Sequence, residues 1–310
     1  MKRLVVGKST WLAEHLGASL YGSPFAGRGV TEVEKLQDVW DEIWVQDSAL
    51  VTPEVSQLHG KVIGYHPTTL QSTEYREVLL AGAGLQTQVT EEDKRFGYLY
   101  WVENGDVLPE GAVVVEQKGM MNRDLGLSSS LAGGVTLRKD SSMGEVNRIA
   151  LESLTDGYTG PLCLDMASNG SVLDFHFGFQ PGWVEAALEI NKGNFAKSPL
   201  DLTDNVACAL LVSVPPFPYS TDQFRVPFPT PNVEEFRIPQ EVIPHLKWQN
   251  VENGALFYAT AWGENERAAR LRIDRSLRCC EISNIQFRTD VGTTFGKVTE
   301  HLNSVKEVAA

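Results

Sequence analysis

The sequence predicts a mixed α/β fold divided into several domains. Short apolar strands alternate with helical patterns along the chain, and its composition is globular, with 42% hydrophobic and 22% charged residues. At 310 residues the chain also exceeds one compact core, because domains usually run to about 100–150 residues. We therefore expect three domains, which we place at 1–68, 69–200 and 201–310.

The first domain shows a βαβ pattern. Three short apolar runs predict buried strands, at 4–7, 42–45 and 61–64. A helix is predicted over 10–20. The string GKST from Gly7 is similar to the end of a phosphate-binding loop, but the earlier glycine of such a loop would fall at Lys2. We interpret Gly7 as a turn after the first strand.

The later segments continue the alternation of strands and helices. Apolar spacing and flanking turn residues predict helices at 72–83, 143–154 and 264–280, strands at 112–116 and 206–214, and a Gly/Ser-rich loop at 124–134.

The most informative stretch, 161–179, predicts a β-hairpin around Asn169-Gly170. Alternation puts the apolar residues on one face, namely Leu173, Phe175, Phe177 and Phe179. Asp174 and His176 share the other face. A two-residue turn places Asp165 opposite Asp174, and Cys163 opposite His176. A three-residue turn shifts the register by one, and the acids then only line a wet face; the sequence leaves both alternatives open.

Two carboxylates directly opposite each other are unfavourable in a sheet. The pair Asp165 and Asp174 therefore needs a cation, a shared proton or a site that tolerates strain for function. Mg²⁺ bound between carboxylates and substrate phosphates would meet this need. We single out Asp165 and Asp174 as candidate catalytic residues.

A second candidate region begins where the strand ending at Glu116 passes into the loop. Exposed backbone amides and hydroxyls suit a carboxylate or phosphate ligand, with Lys118 and Arg123 as counter-charges. The alternative is that the loop is only a connection. The candidate substrate-binding residues here are Lys118, Arg123, Asp124, Gly126, Ser128, Ser129 and Ser130.

These two stretches resemble, in order and spacing, the phosphoribosylamine-glycine ligases, which are ATP-grasp enzymes of purine synthesis. The family's Asp-Lys-Gly-Pro-Asn-Thr-Gly-Gly-Met-Gly loop is similar to 124–133, and its Leu-Glu-Phe-Asn strand is similar to 173–176. The Glu and Asn of that strand hold Mg²⁺, so the resemblance implies Asp174 and His176 as metal ligands. The arginine that follows in the family has no clear match.

The flanks carry the resemblance over nearly the whole chain. Residues 72–87 resemble the helix and Gly-Ile-Pro-Thr segment that enter the ATP-grasp region, and 206–219 resemble the opening of the C-terminal domain. The string FRTDVG at 287–292 is similar to the Tyr-Arg-Lys-Asp-Ile-Gly signature, which implies Arg288 and Asp290 as substrate-binding residues. The implied fold is a degenerate ATP-grasp architecture with a βαβ-type N-terminal domain and a small C-terminal domain.

One departure from the family concerns ATP. The family's lid lobe, which grips ATP, is here reduced to residues 90–115, too few for a lobe with its own sheet. ATP binding in the usual manner is therefore doubtful. The resemblance implies an amino-acid transferase, with glycine as the first choice, that acts without ATP on a pre-activated phosphorylated or nucleotide acceptor.

Two alternatives stay open: an ATP-dependent phosphoribosylamine-glycine ligase with a minimised lid, and a non-catalytic binding protein of the same fold. Nucleic acid is a partner only if the acceptor is a DNA base, as in phage thymine modification. The net charge of −13 counts against that unless basic residues cluster locally.

Composition limits the remaining classes. No apolar run approaches the roughly 18 residues of a membrane span, so no membrane partner is expected. Four cysteines without a CxxC pair predict reduced structural thiols: Cys163, Cys208, Cys279 and Cys280. The apolar start after Arg3 is too short for a secretory signal. We expect a soluble, cytoplasmic protein.

Overall fold

The computed structural model describes residues 1–7, 10–22, 36, 39–66, 76, 79–81, 83, 95–128, 131–140, 150–167, 171–219, 231–249 and 254–300. Their strands form a four-stranded parallel sheet, an eight-stranded antiparallel sheet and a two-stranded ribbon. The predicted α/β fold class is confirmed. No helix among the described residues is long and apolar enough to cross a membrane.

The parallel sheet is N-terminal and has the order β2-β1-β3-β4. Its strands are β1 (Arg3–Val6), β2 (Ser19–Tyr21), β3 (Val39–Val45) and β4 (His59–Ile63). The three predicted strands of this domain are confirmed.

The helix predicted over 10–20 is too long. Helix α1 spans Thr10–Leu16, and Gly17 follows with a φ of +60°. This left-handed backbone conformation ends helices and suits glycine. The chain then turns into β2, which pairs with β1. A short helix, α2 (Pro53–Ser56), precedes β4.

The antiparallel sheet has the order β11-β10-β5-β6-β9-β12-β14-β13. Its strands are β5 (Arg95–Glu103), β6 (Asp106–Gln117), β9 (Gly134–Lys139), β10 (Gly160–Ala167), β11 (Val172–Phe177), β12 (Val206–Ser213), β13 (Leu246–Trp248) and β14 (Ala255–Gly263). Because β9 pairs with β12, the strands on both sides of residue 200 belong to one sheet. The domain boundaries themselves stay predictions.

The segment predicted to replace the lid lobe enters this large sheet. Strands β5 and β6 form an antiparallel hairpin, and Asn104 and Gly105 between them have φ values of 52° and 95°. These values are typical of the tight turns that join paired strands. Residues 84–94 lie outside the described part of the chain.

Helices and the ribbon complete the fold. Helix α3 is Trp183–Ile190, and α4 is Glu266–Arg278. Asn265 caps α4 by accepting a hydrogen bond from the Ala268 amide at 2.9 Å, so this helix is shorter than predicted. In the ribbon, β7 (Gly119–Met121) pairs with β8 (Leu125–Ser128). The predicted loop at 124–134 therefore contains a strand. Most of the helices predicted at 72–83 and 143–154 lie outside the described residues.

The large sheet is buried on both faces. In β12, Ala207, Ala209 and Leu211 pack on the face that meets α3 and the parallel sheet. Cys208, Leu210 and Val212 pack on the opposite face, against α4. Such a two-sided core explains why β12 is apolar throughout.

Candidate active site

The predicted hairpin forms the edge of the large sheet. Asp165 lies opposite Asp174 and Cys163 opposite His176, which confirms the register predicted for a two-residue turn. The register nevertheless shifts after Asp165, because Met166 pairs with Val172. Leu173 is therefore a bulge residue and leaves the alternation, so its predicted place on the face of Phe175 is wrong.

The pairing aligns a row of positions across four neighbouring strands. Asp174 pairs with Asp165, Asp165 with Gly97, and Gly97 with Val114. Positions directly opposite each other point to the same face of a sheet. Glu116, two residues beyond Val114, shares that face. The row therefore brings carboxylates from three strands towards one surface.

Gly97 makes space in this row for an aromatic side chain from α3. A Cβ added to Gly97 would lie 2.1 Å from Cη2 of Trp183. Trp183 is buried, and its Nε1 has no hydrogen-bond partner in the described part of the chain. The indole thus closes one side of the site, at a position where any larger residue than glycine would collide with it.

A cavity of about 290 Å³ lies beside this row. Its lining residues come from β5, β6, β10, β11, α3 and the residue that follows β6: Phe96, Gly97, Glu116, Lys118, Asp165, Leu173, Asp174 and Trp183. The volume is close to the lower limit of small-molecule sites. Aromatic walls with three carboxylates and one lysine suit a small ligand that carries a positive charge.

Asp174 is held by Arg76, from the predicted helix at 72–83. Arg76 Nε donates to Oδ1 of Asp174 at 2.7 Å, and Nη2 donates to Oδ2 at 2.8 Å. The amide of Phe175 also donates to Oδ1, at 2.8 Å. Burial alone would raise the pKa of Asp174, but the hydrogen bonds and the charge of Arg76, together with the Phe175 amide, lower it.

His176 lies beside the same carboxylate, with Nε2 3.6 Å from Oδ2 of Asp174. Burial lowers the pKa of His176 by more than the neighbouring carboxylates raise it. The imidazole is therefore neutral at pH 7. It contributes a ring nitrogen to the edge of the site and no positive charge.

The other two carboxylates of the cavity have different surroundings. Glu116 Oε2 lies 3.8 Å from Nζ of Lys118, whose side chain is 61% exposed. No hydrogen bond or ion pair reaches the half-buried Asp165 from the described residues. Asp165 is thus the carboxylate of the cavity that can accept a cationic group of a ligand.

A second group of predicted residues meets next to the ribbon. Arg288 is 1% exposed and binds both carboxylate oxygens of Asp290, at 2.9 and 3.1 Å. It also donates to the carbonyl oxygen of Gly119 at 2.6 Å. The Arg123 amide donates to Asp290 at 2.6 Å. In this arrangement the Arg288–Asp290 pair holds the ribbon against the C-terminal segment, and its substrate-binding role stays a prediction.

Two further hydrogen bonds tie the same surfaces together. Asn122 Nδ2 donates to Thr289 Oγ1 at 2.8 Å, and the Thr289 amide donates to Oδ1 of Asn122 at 2.9 Å. Lys118 is next to Gly119, so the cavity and the ribbon adjoin. Of the other predicted loop residues, Ser129 and Ser130 and the side chains of Asp124 and Ser128 lie outside the described residues, and Gly126 lies in β8.

Sequence reasoning missed six residues of the site: Arg76, Phe96, Gly97, Glu116, Leu173 and Trp183. Glu116 could have been found, because alternation places it on the same face as Lys118. Nothing in the local pattern marks Arg76, since its partner is 98 positions further along the chain. Gly97 and Trp183 belong together only once the helix packs on the sheet.

The magnesium role implied for Asp174 and His176 can be compared with this geometry. Mg²⁺ takes oxygen ligands in octahedral arrangement and seldom nitrogen. Here one ligand is an imidazole, and the carboxylate already accepts three hydrogen bonds. The described residues bring together no group of three or more metal-ligating side chains. As placed, the pair does not fit Mg²⁺.

The fold is similar to solved structures of ligases. Phosphoribosylamine-glycine ligase from Thermotoga maritima matches with a TM-score of 0.62 at 12% identity, over 94% of this chain and 100% of that chain. Carboxyaminoimidazole ribonucleotide synthase from Aspergillus clavatus, complexed with ATP, matches with a TM-score of 0.50 at 9% identity, over 90% and 98%. No protein-family model and no curated protein sequence matches the chain.

Pyruvate carboxylase from Rhizobium etli also matches, with a TM-score of 0.55 at 13% identity, but this chain spans only 40% of its length. Together these matches confirm the resemblance predicted from the sequence: the chain has the fold of phosphoribosylamine-glycine ligase, the ATP-grasp fold. Identities this low show the fold, whereas activity has to be argued from the cavity.

Proposed function

We propose that this protein is a transferase that joins an amino acid, with glycine as the first choice, to a pre-activated phosphorylated acceptor without using ATP. The observation that carries the proposal is Asp165, a cavity carboxylate that no described residue pairs. An α-ammonium group is the cation that fits a cavity of about 290 Å³ beside the aromatic walls of Phe96 and Trp183.

The chemistry would proceed by displacement. The ammonium group binds at Asp165 and loses a proton to solvent, and the amine then attacks the activated carbon of the acceptor. A carbon–nitrogen bond forms as the carbon–oxygen bond to the phosphate or pyrophosphate breaks, and the leaving group takes the electron pair. Asp165 accepts the proton that the new ammonium releases, so it serves as general base.

Lys118 is placed to receive negative charge in this reaction. Its ammonium lies at the rim of the cavity, largely exposed. Lysine binds phosphate as a point charge, so Lys118 would contact the leaving phosphate or the carboxylate of the amino acid. Activation by another enzyme is part of the proposal, because residues 90–115 are too few for a lid lobe that grips ATP and because amide or amine formation from an unactivated acceptor is uphill.

Calorimetry with glycine tests the proposal. We expect wild-type protein to bind glycine, and Asp165→Asn to bind it at least tenfold more weakly, because the replacement removes the charge and keeps the shape. Asp204→Asn, at an exposed site, is the matched control and should bind as the wild type does. Each variant is checked for folding by circular dichroism.

Two results would instead support the alternatives. Binding of ATP·Mg²⁺ at micromolar affinity would favour an ATP-dependent ligase with a minimised lid. Absence of binding for glycine and for every other amino acid, together with no thermal protection by any of them, would favour a non-catalytic binding protein.

A further inference from the structure

The opposed carboxylates of the hairpin need a positive charge, and one is built into the chain. Asp165 and Asp174 are paired directly across β10 and β11, which is unfavourable for like charges. Arg76 binds Asp174 through two parallel hydrogen bonds of 2.7 and 2.8 Å. This fork geometry is the strongest form of an arginine–carboxylate contact.

We infer that Arg76 takes the place of a divalent metal in this site, so that a guanidinium of the chain itself neutralises Asp174 and offsets the repulsion between the paired carboxylates. The contact is shielded from water, with side-chain exposures of 11% for Arg76 and 19% for Asp174. A guanidinium also sheds its hydration more easily than an ammonium, which favours arginine for such a place.

The hydrogen bonding of Asp174 leaves little room for a metal. A carboxylate offers about four acceptor positions, and Asp174 uses three of them for Arg76 and the Phe175 amide. His176 lies against the same carboxylate. A metal ion bound here would therefore displace Arg76 or sit beside its positive charge.

The pKa of Arg76 reflects both carboxylates of the hairpin. The hydrogen bonds to Asp174 are the main reason that the pKa of Arg76 is raised, and the charge of Asp165 raises it further. Because Asp165 lies directly opposite Asp174, the charge of Arg76 acts on both carboxylates while Arg76 binds only Asp174 directly. Asp165 faces the cavity, next to an Arg76–Asp174 pair whose two charges cancel.

The role of Arg76 can be tested without measuring catalysis. Its consequence for the reaction, namely amino-acid transfer that continues in the presence of a chelator, rests on the proposed function. Metal binding and resistance to unfolding, which report on Arg76 directly, do not depend on the proposed function. Failure of glycine and of every other amino acid to bind would therefore overturn the proposed function and leave the role of Arg76 standing.

Manganese is the probe for the test, since its electron paramagnetic resonance signal falls when it binds to protein. Wild-type protein should leave the Mn²⁺ signal unchanged, and millimolar Mg²⁺ should not shift its melting temperature. Arg76→Met should melt at a lower temperature, because Asp165 and Asp174 then repel each other. Added Mn²⁺ should bind to this variant and restore part of the loss.

Two further variants complete the design. Asp174→Asn should melt below the wild type, because Arg76 loses its partner, and should not respond to Mn²⁺. Arg278→Met removes an exposed arginine that pairs with Asp274 at 2.9 Å and is 75% exposed; it should change neither the melting temperature nor Mn²⁺ binding. Asp174→Asn also reports on the pair if Arg76→Met does not fold.

The inference is overturned by micromolar Mn²⁺ binding to the wild type that Asp174→Asn abolishes, because the carboxylate would then serve a metal. It is equally overturned if Asp174→Asn and Arg76→Met melt at the wild-type temperature. A lowered melting temperature of Arg76→Met that Mn²⁺ partly restores supports it.

Discussion

Replacing Gly97 with alanine should destabilise the protein through one contact. The added Cβ would lie 2.1, 2.6 and 2.9 Å from Cη2, Cζ2 and Cζ3 of Trp183. Carbon atoms pack at about 3.5–4.0 Å, so the ring has to move by about 1.5 Å. Trp183 is only 2% exposed, and its surroundings give little room for such a movement.

Two effects of opposite sign set the change in the free energy of unfolding that Gly97→Ala causes. Overpacking a rigid core costs about 1–3 kcal/mol, and the short contacts place Gly97→Ala near the upper end. Alanine also restricts the unfolded chain, which stabilises the fold by about 0.4–1 kcal/mol where the backbone conformation is compatible. The steric effect is larger, so we expect a net loss of about 2 kcal/mol in the free energy of unfolding.

Urea denaturation followed by circular dichroism measures this loss. Gly193→Ala is the matched control, because its Cβ would meet no atom within 4 Å; it should be neutral or slightly stabilising. The three crowded atoms all belong to the six-membered part of the indole, which Trp183→Phe removes. In the Trp183→Phe background, Gly97→Ala should therefore cost almost nothing. An equal cost in both backgrounds would refute the reasoning.

Three further predictions concern other parts of the fold. Arg288→Met should lower the free energy of unfolding by about 3 kcal/mol, measured in urea, because it leaves Asp290 and a backbone carbonyl without their buried partner; a change below about 0.5 kcal/mol would contradict this. Burial raises the pKa of Glu185 to about 7, from about 4.5 in the unfolded chain. The contribution of Glu185 to stability is therefore complete below a pH of about 4.5 and is lost as the pH rises from about 4.5 to about 7. Glu185→Gln should remove this change, about 3 kcal/mol in the free energy of unfolding, as measured by urea denaturation at a series of pH values. An unchanged dependence of that free energy on pH would speak against it. Iodoacetamide should modify the exposed Cys279 in the native protein and spare Cys163, whose burial raises its pKa; equal rates by mass spectrometry would be the contrary result.

Much of the fold followed from local patterns. Three of the four strands of the parallel sheet, the strand β12 and the hairpin were predicted, because apolar period and turn residues act over a few neighbouring positions; β2 was not, because the predicted helix ran into it. Errors fell at boundaries: Gly17 ended α1 early, and β8 lies where a loop was predicted. Glycine and small polar residues permit several conformations, so their final state depends on what packs against them.

The candidate site was likewise predicted only in part. The sequence by itself determined that Asp174 and His176 share one face of a hairpin and that Asp165 faces Asp174 in one of two possible registers, because a period of two admits few registers; the structure shows that register. Only the tertiary structure decided what neutralises Asp174: Arg76 reaches it across 98 positions. It also decided that Trp183 fills the space left by Gly97, because contacts between distant segments depend on how sheet and helix pack and leave no trace in local periodicity.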